Sequence, residues 1–299
     1  MICIWTNHRQ IASRQYFISQ PGCCFVANEY SFTLFQKRRY WKRGYYKTTV
    51  LCHRKVSGEI VFVGAGPGGK EWLTWAAIKE LKKAQVVLYD HLVDKEILKL
   101  CKIHCEQVDV GKAIHSFQNR GVLQEDILRL LQYYYDQGKY IVRLKGGDPG
   151  VFGRLAEEID YIKNFGGSFR LVPGISSVLA APLLAGIPLT HKVWSKSVTL
   201  ATGHDLSQLD FEWLAKSETL VFVMATRSLS EIAQRLVENG KSPDTLVAVI
   251  YNAGMSNQHE SFGTLKEWAL GSLKVCFEPG TVIIGRVVQY AFEKETLAP

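Results

Sequence analysis

Gly64, Gly66 and Gly69 in the stretch GAGPGG satisfy G-x-G-x-x-G. An apolar run, Ile60 to Val63, precedes them, and KEWLTWAAIKELKK after them reads as an amphipathic helix. A second apolar run, Val86 to Tyr89, ends at Asp90, 21 residues beyond Gly69. On spacing alone this is the dinucleotide fingerprint. Its glycines bring a pyrophosphate to a helix N-terminus, and its acid takes the ribose. The chemistry implied is that of an NAD- or FAD-dependent oxidoreductase.

A second glycine loop argues otherwise. The strand-like run YIVRL at 140–144 leads into KGGDPGVFGR at 145–154. Glycines there let a ligand lie against backbone N–H and C=O groups, because no Cβ intervenes. Asp148 adds a fixed acceptor and Pro149 stiffens the turn. A plain strand-to-helix turn would also contain Gly-Asp-Pro. A dinucleotide needs one pyrophosphate site at one helix N-terminus. Two glycine loops suit a small ligand without phosphate, gripped largely by main chain. S-adenosylmethionine has that character.

The elements that must position these loops alternate. Strands are expected at 60–63, 86–89, 106–110 and 140–144, with helices at 70–83, 93–102, 122–137 and 154–165. Helix 122–137 would align Leu123, Ile127, Leu130, Leu131 and Tyr134 on one face. Such alternation predicts a parallel sheet covered by helices. A second unit is expected from Pro173-Gly174 onward, with strands at 197–201, 219–223, 246–250 and 281–284. Helices at 174–185, 228–238 and 264–271 lie between them, and the spacing permits antiparallel pairing. The fold class is therefore two α/β domains, 58–172 mostly parallel and 173–299 mixed.

Residues 1–57 differ from the rest. They hold ten of the 36 basic residues and one of the 28 acids, so residues 58–299 carry 26 and 27. The net charge of +8 thus belongs to the extension, and the body has no charge footprint for nucleic acid. The extension shows no clean strand or helix periodicity. It reads as disordered, as a transit peptide, or as a stretch upstream of the true start. No run of 18 apolar residues indicates a membrane span. The expected location is the cytoplasm, or a plastid should residues 1–57 act as a transit peptide. Cys101, Cys105 and Cys276 in the body form no disulfide framework. Cys101, His104 and Cys105 lack a second ligand pair, so no metal is expected.

The strings VGAGPGG at 63–69, LYD at 88–90, VGK at 110–112, RLKGGDPGVFGR at 143–154, VPGISS at 172–177, AGIPLTH at 185–191, TGH at 202–204 and VFVM at 221–224 occur in this order. Together they resemble the tetrapyrrole (class III) methyltransferases over about 58–290. The resemblance implies S-adenosylmethionine as methyl donor, held in the cleft between the two α/β domains. It implies methylation of two pyrrole-ring carbons of uroporphyrinogen III to give precorrin-2, toward siroheme or cobalamin, by a homodimer.

By the same resemblance the cofactor contacts map to Pro67, Gly146, Gly147, Asp148, Val151, Ser176, Ser177, Met224 and Ala253. The proton acceptor maps to Asp90 and the donor to Lys112. On residue type alone Met224 fits a core position as well as an adenine contact. Ser176 and Ser177 fit a helix N-terminus, Asp90 a ribose-binding or structural acid, and Lys112 a surface position. A substrate with eight carboxylates calls for basic partners. Arg143, Arg154, His191, Lys192 and His204 are candidates. Gly69, Gly150 and Leu155-Ala156 depart from the family's usual pattern, which touches loop rigidity. The alternatives are a sister enzyme acting on another precorrin, the oxidoreductase of the fingerprint, and a nucleotide-binding regulatory module.

Overall fold

The computed structural model describes residues 57–111, 124–274 and 276–293, and the backbone of four strands in the first fifty residues. The chain divides into two units, Met1–Val56 and Ser57–Pro299. In the first unit β1 (Tyr16–Gln20), β2 (Cys23–Asn28), β3 (Ser31–Gln36) and β4 (Tyr46–Val50) pair in sequence order, all antiparallel. No strand was expected there. Stretches such as SFTLFQ and YKTTV are rich in aromatic and β-branched residues. Those favour extended backbone even without clean alternation.

The second unit opens with a wholly parallel sheet. Its strands are β5 (Glu59–Gly64), β6 (Val86–Tyr89), β7 (Glu106–Asp109), β8 (Tyr140–Lys145) and β9 (Phe169–Val172), in the order β7-β6-β8-β5-β9. Helices Trp75–Leu81, Lys95–Leu98, Gln124–Asp136 and Leu155–Asn164 run between them. Val61 and Val63 of β5 enter one apolar cluster, while Ile60 and Phe62 enter that on the opposite face. That is how a strand buried on both faces must divide its side chains.

A second sheet holds β10 (Val198–Thr202), β11 (Thr219–Val223), β12 (Leu246–Tyr251), β13 (His259–Thr264) and β14 (Gly280–Gly285), in the order β10-β11-β14-β12-β13. Only β10 and β11 run parallel, so the sheet is mixed as expected. Helix Ser177–Leu184 packs Ala181 against it, in a cluster with Ile250 and Ile283. The edge strands β9 and β13 were not expected. FRLV is four residues long, and HESFGT has no buried residue and little apolar character.

Candidate functional site

Backbone meets backbone at the carboxyl ends of the parallel strands. A Cβ on Gly64 would lie 2.4 Å from Gly174 Cα and 2.6 Å from the Gly147 carbonyl oxygen. One on Gly174 would lie 2.2 Å from that same oxygen. Gly66 and Gly147, both at positive φ, exchange N–H···O bonds of 3.1 and 2.9 Å. Gly68 abuts the turn after β12, where a Cβ would come 2.3 Å from the Gly254 carbonyl oxygen. Trp72 Nε1 donates to that carbonyl at 3.0 Å.

The first glycine loop is therefore filled by protein backbone. The helix behind it starts only at Trp75, and its N-terminus is already capped: Thr74 Oγ1 accepts from Ala77 N at 3.1 Å. Moreover β8 lies between β5 and β6, whereas the dinucleotide fold sets its first two strands side by side. These three observations remove the oxidoreductase alternative.

The second loop is open. No heavy atom lies within 4 Å of where a Cβ on Gly146 would be. Asp148 ties this loop to the next turn: Oδ1 accepts from Gly150 N at 2.8 Å and Oδ2 from Gly174 N at 2.9 Å. Val151 N donates to the Asp148 carbonyl at 3.2 Å. Ser176 is buried and caps helix Ser177–Leu184, its Oγ accepting from Val178 N at 3.4 Å. Pro67 sits against Gly254, next to the buried Ala253. The fold thus gathers Pro67, Gly146, Gly147, Asp148, Val151, Ser176, Ser177 and Ala253 around one cradle. At Gly146 the main chain is left uncovered, which lets a ligand lie against backbone groups there.

Met224 follows β11 and opens, with Gly203, His204, Arg227 and Ser228, onto a cavity of about 540 Å³. That lining shares no residue with the cradle. Met224 has φ +53°, and Phe152, Arg154 and Asn252 are the other non-glycine residues at positive φ among those described. All four lie in loops that leave the carboxyl ends of β8, β11 and β12. Such conformations cost roughly 1–3 kcal/mol each and cluster at functional sites.

Beneath the open loop lies a buried charge cluster. Arg143 and Lys145 alternate on β8, so both point to one face. Glu158, fully buried on helix Leu155–Asn164, accepts from Arg143 Nε at 3.2 Å and from Lys145 Nζ at 2.5 Å. Arg143 Nη2 reaches Asp90 Oδ1 at 2.5 Å. Burial disfavours the guanidinium's charge, but Asp90 and Glu158 together hold its proton more firmly than usual. For Lys145 burial and the Arg143 charge win over Glu158, and its pKa falls.

Arg143 was expected to meet substrate carboxylates. It is 2% exposed and committed to two internal acids, so it cannot do so. Arg154 pairs with Glu157 on the surface. His191 stacks on Trp194, ring centroids 4.0 Å apart, and accepts from Val193 N. Lys112 lies outside the described residues. Lys145, Glu158, Trp72 and Arg227 were not anticipated. For Lys145 a signal existed, the two-residue strand spacing from Arg143. No cluster of three or more His, Cys, Asp or Glu could hold a metal ion among the described residues, and Cys101, Cys105 and Cys276 are free thiols. No described helix is long and apolar enough to cross a membrane.

The model of the Tetrapyrrole (Corrin/Porphyrin) Methylases matches residues 59–269. The chain belongs to this family. It is 39% identical over 234 residues to a uroporphyrinogen-III C-methyltransferase of Synechococcus elongatus, covering 78% of this chain and 95% of that protein. It is 42% identical to a siroheme synthase of Actinobacillus pleuropneumoniae, but spans only 48% of that longer protein. Among solved structures it resembles uroporphyrin-III C-methyltransferase of Thermus thermophilus complexed with S-adenyl homocysteine. The TM-score is 0.68 at 35% identity, over 78% of this chain and 99% of that one.

Proposed function

We propose that the protein transfers two methyl groups from S-adenosylmethionine to ring carbons of uroporphyrinogen III, giving precorrin-2. The observation that carries this is the second glycine loop, open at Gly146 and clasped by Asp148 to the turn before Ser176. The similar enzymes, one of them seen with S-adenyl homocysteine, support the choice of ligand and substrate.

The bound cofactor supplies an electrophilic methyl group on a sulfonium. Gly146, Gly147 and Val151 would hold it by main chain, with Pro67 and Ala253 closing the far wall. Asp148 holds the loop in shape. The reduced macrocycle is electron-rich, so the protein needs no nucleophile of its own. It must fix the geometry of attack and handle a proton. Asp90 is assigned the proton. Its Oδ1 is fixed by Arg143, and Oδ2 has no hydrogen-bond partner among the described residues. Lys112 remains the proposed donor. His204 and Arg227, the basic side chains on the cavity beside Met224, take substrate carboxylates in place of Arg143.

Calorimetry tests the cofactor class. S-adenosylhomocysteine should bind saturably, and NAD and FAD should not. Incubation with labelled S-adenosylmethionine and uroporphyrinogen III should then label the macrocycle. Tight NAD binding with no response to S-adenosylhomocysteine would overturn the reading.

The proposal includes a homodimer. Helix Ser177–Leu184 is apolar nearly all round, and on its outer side Leu179 and Leu183 are 59% and 72% exposed. Leu171 on β9 and Ile175 just before the helix are exposed as well. An apolar surface of this kind marks an association site, and a second copy matches it face to face. Sedimentation of the purified protein should give a dimer, and Leu179→Asp with Leu183→Asp should give a monomer. A native protein that sediments as a monomer ends this part of the proposal.

A further inference from the structure

Arg143 has five N–H donors, and the structure places all of them. Nε and Nη2 reach Glu158 at 3.2 and 3.4 Å. Nη1 reaches the carbonyl oxygens of Leu88 and Leu144 at 3.4 and 3.3 Å. Nη2 reaches Asp90 at 2.5 Å. Leu88 lies on β6, one residue short of its end, and Leu144 holds the same place on β8. A guanidinium is planar and rigid. With one edge fixed by Glu158 and one amino group fixed between two strands, its last N–H can point in only one direction. That direction is Asp90.

We propose that Glu158 is a positioning residue that aims the Asp90 carboxylate through Arg143. It rests on the function proposed above. Glu158 is suited to this. It is fully buried, it comes from the helix that follows the open glycine loop, and it is held from two further sides. Lys145 Nζ lies 2.5 Å from its Oε1 and Gln124 Nε2 lies 3.3 Å from the same atom. Two buried cations and one buried anion leave a net positive charge that Asp90 balances. Asp90 is one-third exposed and has no other anchor among its described side-chain contacts. Without Glu158 the Arg143 plane can rotate, and Asp90 loses its fixed orientation while the cradle residues keep theirs.

Glu158→Gln alone strands two cations and endangers folding. The useful variant is therefore Glu158→Gln with Lys145→Met, which leaves Arg143 and Asp90 as a balanced pair. This variant should bind S-adenosylhomocysteine within a few-fold of the unaltered chain. Its single-turnover methyl transfer should be slower by about tenfold or more. In the background of Asp90→Asn with Arg143→Met, where no buried cation is left unpaired, the same two changes should cost almost nothing further, because the group they aim and the arm that aims it are already gone. A general loosening of the fold would slow both backgrounds alike, and such additive losses overturn the proposal. A crystal structure of the variant supplies a check independent of activity. The Arg143 plane should have rotated and carried the Asp90 carboxylate out of its original orientation, and an unchanged Asp90 orientation refutes the positioning role. Failure of the unaltered protein to transfer methyl groups at all counts against the proposed function instead, and the crystallographic result still decides the role of Glu158.

Discussion

Asp90→Asn should slow methyl transfer by about 100-fold or more, the lower end of what removing a general base costs. Affinity for S-adenosylhomocysteine should stay within a few-fold. The structure separates the two quantities because Asp90 and the cradle are built from different contacts. Asp90 directly follows β6, its N–H donates to the Leu144 carbonyl at 3.1 Å, and its carboxylate is oriented from below by Arg143. No cradle residue depends on it. Asparagine keeps the size and the Oδ1 acceptor, so Arg143 retains a partner. What disappears is the basic oxygen. Single-turnover rates and dissociation constants for both proteins test this. A variant that binds the cofactor poorly yet reacts at the normal rate once loaded would make Asp90 a ligand-holding acid, as the spacing from Gly69 first suggested.

The parallel core was legible because β5, β6 and β8 are short apolar runs bounded by glycine, lysine or aspartate, and because helix Gln124–Asp136 repeats its apolar residues at helical spacing. The order of the strands was not legible. A G-x-G-x-x-G motif and a distant aspartate look the same whether β8 lies between β5 and β6 or outside them, and that placement decides what the loop can hold. Arg143 shows a second limit. A basic residue before a glycine loop suggests an anion partner, and it has two, but both belong to the protein. The helix residue that captures it, Glu158, is 15 positions away, and no local pattern distinguishes it from its exposed neighbour Glu157. Ser176 was legible as a cap, since Pro-Gly-Ile-Ser-Ser before an apolar run is a common way to start a helix.

Asp148→Ala should weaken S-adenosylhomocysteine binding by about 10- to 150-fold, and it should also destabilise the protein without ligand. Both effects follow from one geometry. The two carboxylate oxygens accept from Gly150 N and Gly174 N, joining the open loop to the turn that leads into Ser176. A hydrogen bond to a charged group contributes roughly 1.5–3 kcal/mol, and each 1.4 kcal/mol corresponds to about tenfold in affinity. Gly174 has little freedom to find another partner, since its own Cα is wedged against Gly64 and the Gly147 carbonyl. Loss of the clasp should let the open loop drift away from the Ser176 turn, so the cradle would have to be rebuilt each time a ligand binds. Asp148→Asn keeps one acceptor oxygen and should fall between alanine and the unaltered chain on both measures. Thermal unfolding of the ligand-free proteins separates this role from simple ligand contact. If Asp148→Ala loses affinity while its Tm is unchanged, the carboxylate touches the cofactor and the clasp is irrelevant. If Tm falls and affinity holds, the cradle does not need the clasp to bind.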